Sequence, residues 1–186
     1  MKKEEYELQL ERKNKVIEQY KKEIEILKKQ VEFYKREAYI DTLTKLNNRR
    51  ALKDIGGYNF VIMGDIDHFK EINDKYGHVF GDRILVEISE ILKQYIADSD
   101  LVCRYGGEEF IIFLKNNNDY YAYCKALLLK QKIEELSKKY GFSITMSFGV
   151  SNLYGKTMNK AIEEADFAMY ESKKNGRNTV TIYELK

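Results

Sequence analysis

Apolar side chains in the first forty residues include a spaced series at Leu10, Ile17, Tyr20, Ile24, Leu27, Val31, Tyr34 and Ala38, with Lys and Glu the commonest residues of the stretch. From Ile17 onward the steps alternate three and four, the a/d seam of a heptad repeat. The a positions (Leu10, Ile17, Ile24, Val31) are mostly β-branched, which favours a parallel two-stranded coil. Lys13 on a d position, with Tyr20 and Tyr34 on others, leaves the seam imperfect. Residues 1–40 are therefore expected to form a coiled-coil dimerisation helix. The alternative is a single amphipathic helix lying on its own domain. A parallel coil would set two copies of everything downstream side by side.

Beyond the seam the periodicity changes. Asp41-Thr42-Leu43-Thr44 supplies cap-type residues, a short helical stretch runs through Leu46, Ala51 and Leu52, and Gly56-Gly57 breaks it. Phe60 to Met63 is a continuous apolar run ending in Gly64-Asp65-Ile66-Asp67, which predicts a central strand. A helix from His68 and a loop at Gly77-His78 follow. A second helix is expected from about Asp82 to Ile96, with Ile84, Leu85, Ile88, Ile91 and Leu92 on one side. Leu101–Cys103 and Phe110–Leu114 flank Gly106-Gly107, which reads as a tight hairpin whose two-residue turn needs positive φ. The remainder predicts a polar turn at 116–119, a helix over 120–140 stopped by Gly141, a strand over 142–150, a helix over 158–174 and a last strand over 179–183. That order gives a mixed sheet with helices packed on it, an α/β (α+β) domain over residues 41–186.

Composition narrows the class. The 186 residues suffice for one domain of about 100–150 residues plus an extra element. There is no proline, which suits long helices, and the net charge of +2 does not imply nucleic acid as a partner. Tyr120, Tyr121 and Tyr123 beside Lys125 are read as packing residues rather than a stacking platform. Two cysteines fit a reducing compartment. No leader-like apolar region and no run of roughly 20 apolar residues is visible, so a soluble, cytoplasmic protein without a membrane partner is expected.

Two places carry candidate chemistry. Asp65 and Asp67, at i and i+2, share one face of the central strand's end. A carboxylate there is costly unless a cation or hydrogen bonds compensate it. Asp65 is expected at a metal site and Asp67 as the cap of the following helix. The second place is Glu108-Glu109, just after the glycine pair; alternation along a strand turns the two acids to opposite faces. Asn73 and Asp82 could offer an amide and a carboxylate to a planar base. Guanine's N1–H/N2–H₂ edge suits a carboxylate, with the amide covering the neighbouring acceptor. At helix ends, however, Asn and Asp usually cap, and a lone His78 is usually structural.

Four stretches together are more specific. Asp41-Thr42-Leu43-Thr44-Lys45-Leu46-Asn47-Asn48-Arg49-Arg50 opens the domain. Asp65 to Asp74 follows, with Gly77-His78 and Gly81-Asp82; then Arg104-Tyr105-Gly106-Gly107-Glu108-Glu109-Phe110, and last Lys173 to Asn178. In order and spacing they resemble the signature blocks of the GGDEF family of diguanylate cyclases, which condense two GTP into cyclic di-GMP and two pyrophosphates. The resemblance implies a central mixed, largely antiparallel sheet of the nucleotidyl-cyclase palm type, and a homodimer as the working unit. It implies Mg²⁺, with Mn²⁺ as its substitute, held by Asp65, the carbonyl of Ile66 and Glu108. Glu108 is the implied base, with Glu109 beside it. Asn73 and Asp82 are the implied guanine readers, and His78 lies where the family contacts substrate. Backbone N–H groups of Phe69 and Lys70 are the implied phosphate cradle, with Lys173 and Arg177 as cationic phosphate ligands.

One departure stands out. Many members bind product through Arg-x-x-Asp ahead of the signature, where this chain reads Ala97-Asp98-Ser99-Asp100. Without the guanidinium fork, weak or absent product inhibition through that site is expected. Asp82, where a mixed-dinucleotide sub-class carries serine, favours guanine on both halves. A catalytically inactive GTP- or cyclic-dinucleotide-binding signalling module is the alternative function, and a pure coiled-coil scaffold a third.

Overall fold

The computed structural model describes residues 2–116 and 118–183. Met1, Asn117 of the expected polar turn and residues 184–186 lie outside them. The chain divides into two units, Met1–Tyr39 and Ile40–Lys186.

The first unit is one helix, α1 (Lys2–Tyr39). At 1.5 Å per residue it is roughly 57 Å long. The heptad seam is laid bare along it: Ile17, Ile24, Leu27 and Val31 are all about half exposed. A stripe of that size on a lone helix has no packing partner in its own unit, which is the condition of a coil strand.

The second unit is built on a six-stranded sheet in the order β1-β3-β4-β2-β5-β6. The strands are β1 (Asn47–Asn48), β2 (Phe60–Ile66), β3 (Leu101–Arg104), β4 (Glu109–Leu114), β5 (Met146–Asn152) and β6 (Val180–Ile182). β2 lies between β4 and β5, antiparallel to both, and β3 is antiparallel to β4; β1 with β3 and β5 with β6 are parallel. The sheet is thus mixed and largely antiparallel. Every residue of β2 is buried because both of its faces are covered, which explains the unbroken apolar run. Phe60, Ile62 and Ile66 pack with the helices α2 (Phe69–Tyr76), α3 (His78–Tyr95) and α4 (Asp119–Glu134) through Ile72, Ile84, Ile88 and Leu129. Val61 and Met63 point the other way, onto α6 (Met158–Lys174) through Ala161, Ala165 and Met169. Small side chains on α6 let it lie almost against β5. A Cβ at Gly149 would overlap the Ala165 carbonyl oxygen and the Met169 nitrogen and stand 2.8 Å from the Ala168 carbonyl carbon.

Several expectations shift. The turn between β3 and β4 is wider than a two-residue hairpin, and neither Gly106 nor Gly107 has positive φ. The Arg104 guanidinium closes it, donating to the Gly107 carbonyl at 3.0 and 2.8 Å. Space rather than φ is what a glycine supplies at 106, where an added Cβ would meet the tip of the Glu109 side chain and that carboxylate would have to move. α3 starts at His78, four residues earlier than expected, because Gly77 (φ 84°) reverses the chain and its carbonyl accepts from Phe80 and Gly81 at once. The helix expected over 120–140 is two pieces, α4 and α5 (Leu136–Tyr140). β5 begins at Met146 because Phe142 is drawn off into an aromatic cluster, stacked on Tyr76 at 4.7 Å.

Candidate active site

β2 carries Asp65 to near its C-terminal end, where only 7% of the residue remains exposed. Register sets it directly across from Glu109 at the start of β4. The adjoining turn closes over the strand end, the N–H of Ile66 reaching the carbonyl of Glu108 at 3.4 Å. The two acidic stretches, forty residues apart in sequence, therefore meet. Lys173, in the last turn of α6, donates to Asp65 Oδ1 at 2.8 Å. Burial pushes the Asp65 carboxyl up to about 6; Lys173 opposes that shift, while the charges of Glu108 and Glu109 add to it. One lysine does not balance three carboxylates.

Asp67 is not the cap it was expected to be. The cap position of α2 is His68, in the left-handed region at φ 56° and without a side-chain cap bond. Asp67 is instead buried, accepting from Thr145 Oγ1 at 2.8 Å, Ser147 Oγ at 2.7 Å and the backbone N–H of Asn178 at 3.0 Å. That last bond ties the strand end to the loop after α6, where Gly176, Arg177 and Asn178 all have positive φ. Lys130 Nζ holds the same loop through Asn178 Oδ1 at 2.9 Å. Asp67, Thr145, Ser147 and Asn178 are the residues that sequence reasoning missed. Their trace was Thr145 and Ser147, two hydroxyls spaced by two where β5 begins.

The other candidates fall around this strand end. The ring of Phe69 is buried in the core and Lys70 is exposed. As the first two residues of an uncapped helix, they leave backbone N–H groups without intrahelical partners. The Asn73 amide fills the space that a Cβ on Gly81 would need, so Asn73 lies against the turn of α3 that carries Asp82. His78 and Asp82 are one turn apart and exposed. Arg177 is exposed at its left-handed position. Below the signature turn, Arg104 Nη1 donates to Asp41 Oδ1 at 3.2 Å, joining the first signature block to the third. Burial disfavours a charged Asp41, but hydrogen bonds from Thr44 and Arg104 outweigh it and hold the carboxyl below its usual range.

Among the described residues no group of three or more His, Cys, Asp or Glu is arranged to enclose a metal ion. The donor set at Asp65 is nevertheless hard oxygen, a buried carboxylate with the acids Glu108 and Glu109 close by. Those residues fit a divalent ion completed by oxygens from outside the protein.

The fold is thus a mixed, largely antiparallel sheet between helices, with acids gathered at the end of its central strand. The family profile described as "Diguanylate cyclase, GGDEF domain" matches residues 38–179. The chain is 43% identical over 127 residues to Diguanylate cyclase A of Treponema denticola, an alignment covering 66% of this chain and 34% of that protein. It is 38% identical over 159 residues to the diguanylate cyclase VdcA of Vibrio cholerae, covering 78% and 47% respectively. The coiled coil and GGDEF domain of DgcB from Caulobacter crescentus, solved in complex with c-di-GMP, superposes with a TM-score of 0.76 at 29% identity, covering 86% of this chain and 93% of that one. The chain belongs to the GGDEF family. It spans a third to a half of the length of these two curated relatives. No described helix is long and apolar enough to cross a membrane.

Asp65 makes a stability prediction of its own. A carboxyl whose folded pKa is about 6 against an ordinary 3.8 binds more protons folded than unfolded between those values. The metal-free fold therefore loses stability as pH rises from about 4 to 6, by about 2–3 kcal/mol from this group. Asp65→Asn removes that loss. In chelator, its melting temperature should match the wild type near pH 4 and exceed it at pH 7.5. A difference that does not change with pH would count against the assignment.

Proposed function

We propose that this domain condenses two GTP into cyclic di-GMP, releasing two pyrophosphates, where two copies joined through a parallel coil of α1 face each other. The observation that carries the reading is the meeting of Asp65 with the Glu108–Glu109 turn, with Lys173 and the Arg177 loop at the same strand end. Mg²⁺, or Mn²⁺ in its place, held by Asp65, the Ile66 carbonyl and Glu108, would supply charge neutralisation on the triphosphate and acidify the attacking 3′-hydroxyl.

The chain's own groups do the rest. Glu108 takes the proton of the 3′-hydroxyl, with Glu109 beside it. Lys173 and Arg177 bind phosphate oxygens, and the free N–H groups of Phe69 and Lys70 at the start of α2 bind others. Asp82 accepts from the N1–H and N2–H₂ of guanine while the Asn73 amide meets the neighbouring acceptor, and His78 flanks the nucleotide. Asp67 keeps the Arg177 loop in register with the strand end. One protomer holds one GTP, so a second must bring the attacking hydroxyl in line with the α-phosphate.

The test is incubation with GTP and Mg²⁺ followed by chromatography of the nucleotides. Formation of cyclic di-GMP with pyrophosphate supports the reading. Binding of GTP without turnover, at any protein concentration, would select the non-catalytic alternative. The dimer has its own check. Ile24→Glu sets a charge on the exposed seam and should both shift the mass in solution from dimer to monomer and lower turnover by more than about tenfold. Retention of the dimer mass in this variant would count against the coil as the joint.

A further inference from the structure

A sizeable cavity of the domain lies away from the acidic strand end. It has a volume of about 730 Å³ and opens between the 3₁₀ helix Arg49–Asp54 and the first turn of α6, with Tyr105 in its wall. Three of its nine lining residues are cationic, Arg49, Arg50 and Lys53, and none is acidic. Other basic side chains of the globular unit lie against carboxylates, as in the pairs Lys130–Glu134, Lys139–Glu87, Lys156–Glu164 and Lys173–Asp65. Among the described residues no carboxylate pairs with Arg49, Arg50 or Lys53.

Arg49 is held in place another way, its guanidinium lying 4.5 Å from the centre of the Tyr105 ring. Three like charges around one concavity repel each other, and an anion entering it relieves that repulsion. Two arginines present planar donor forks, which suit phosphate oxygens bidentately. The rest of the wall is apolar: Leu52, Met158 and Ile162 could cover a flat ring. The volume lies within the usual range for small-molecule sites.

From these observations we infer that the cavity is a second binding site, taking a phosphorylated small molecule of nucleotide size. Its phosphate lies on Arg50 and Lys53 and its ring on the apolar wall. Asp65, Glu108 and Lys173 do not line it, so it is separate from the candidate active site. It is close enough to be felt there: Tyr105 donates its N–H to the Glu109 carbonyl at 2.8 Å, so a ligand that moves the ring pulls on the signature turn.

The experiment is calorimetric titration of the full chain with pyrophosphate, GTP and cyclic di-GMP in separate arms, using Arg50→Glu/Lys53→Glu and the charge-keeping Arg50→Lys/Lys53→Arg for comparison. At least one ligand should bind the wild type with a dissociation constant below about 100 μM. The double Glu variant should weaken that ligand at least tenfold, and the charge-keeping variant should restore most of it, with melting temperatures unchanged. The arm that responds identifies the ligand. If no arm binds at millimolar concentration, or if the double Glu variant binds every ligand as the wild type does, the site does not exist.

Discussion

Glu108→Ala should lower cyclic di-GMP formation by at least about 10³-fold, the scale on which loss of one group from a catalytic unit acts. The side chain stands on the turn that closes over the end of β2, and it is one of the two acids whose charge raises the Asp65 carboxyl. In the proposed reaction it serves the metal and the 3′-hydroxyl together, so no neighbour replaces it. Glu109 begins β4 with its carboxylate folded back toward Gly106, where a Cβ would overlap it. The same substitution should leave the fold intact and slightly raise the melting temperature in chelator, because one repelling charge near Asp65 is gone. Product chromatography and thermal melting check both halves. An alanine variant within tenfold of wild-type turnover would remove Glu108 from the mechanism.

Gly149→Ala is expected to have the largest effect on stability. The added Cβ would overlap backbone atoms of α6 at Ala165 and Met169, which cannot rotate aside as a side chain would. Relief requires α6 to lift from the sheet, separating Ala161, Ala165 and Met169 from Val61 and Met63. The cost should exceed about 3 kcal/mol. For a unit of this size that corresponds to a fall in melting temperature of roughly 6–12 °C, if the variant folds at all. Because Lys173 rides on the same helix, activity should fall with it. Gly56→Ala is the control: nothing lies within 4 Å of the new Cβ and φ is not positive, so stability should change by no more than about 0.5 kcal/mol. Equal melting temperatures for the two variants would refute the close approach.

Local pattern carried far in this chain. The heptad spacing predicted α1, the apolar run ending in acids predicted β2, and the helical spacing of Ala161, Ile162, Ala165, Ala168 and Met169 predicted α6. Such elements are legible because one face or both must be apolar to be buried, and that demand repeats with a fixed period. The turns were less so. A glycine pair looked like a turn with positive φ, yet neither Gly106 nor Gly107 has it. Asp67 looked like a helix cap because any Asp at a strand–helix junction does. Its actual partners, Thr145, Ser147 and Asn178, are between 78 and 111 residues away.

By itself, then, the sequence determined most of the helices and strands, though not β1, the break between α4 and α5 or the start of β5, that acids stand at two of their ends, and which family's blocks they resemble. Periodicity and motif spacing are properties of the chain read in one dimension. Only the tertiary structure decided that Asp65 lies across from Glu109, that Lys173 returns to Asp65, and that Arg49, Arg50 and Lys53 gather round a cavity without an acid. Those facts depend on strand register and on the side of the sheet to which α6 crosses, both set by long-range packing that local spacing does not encode.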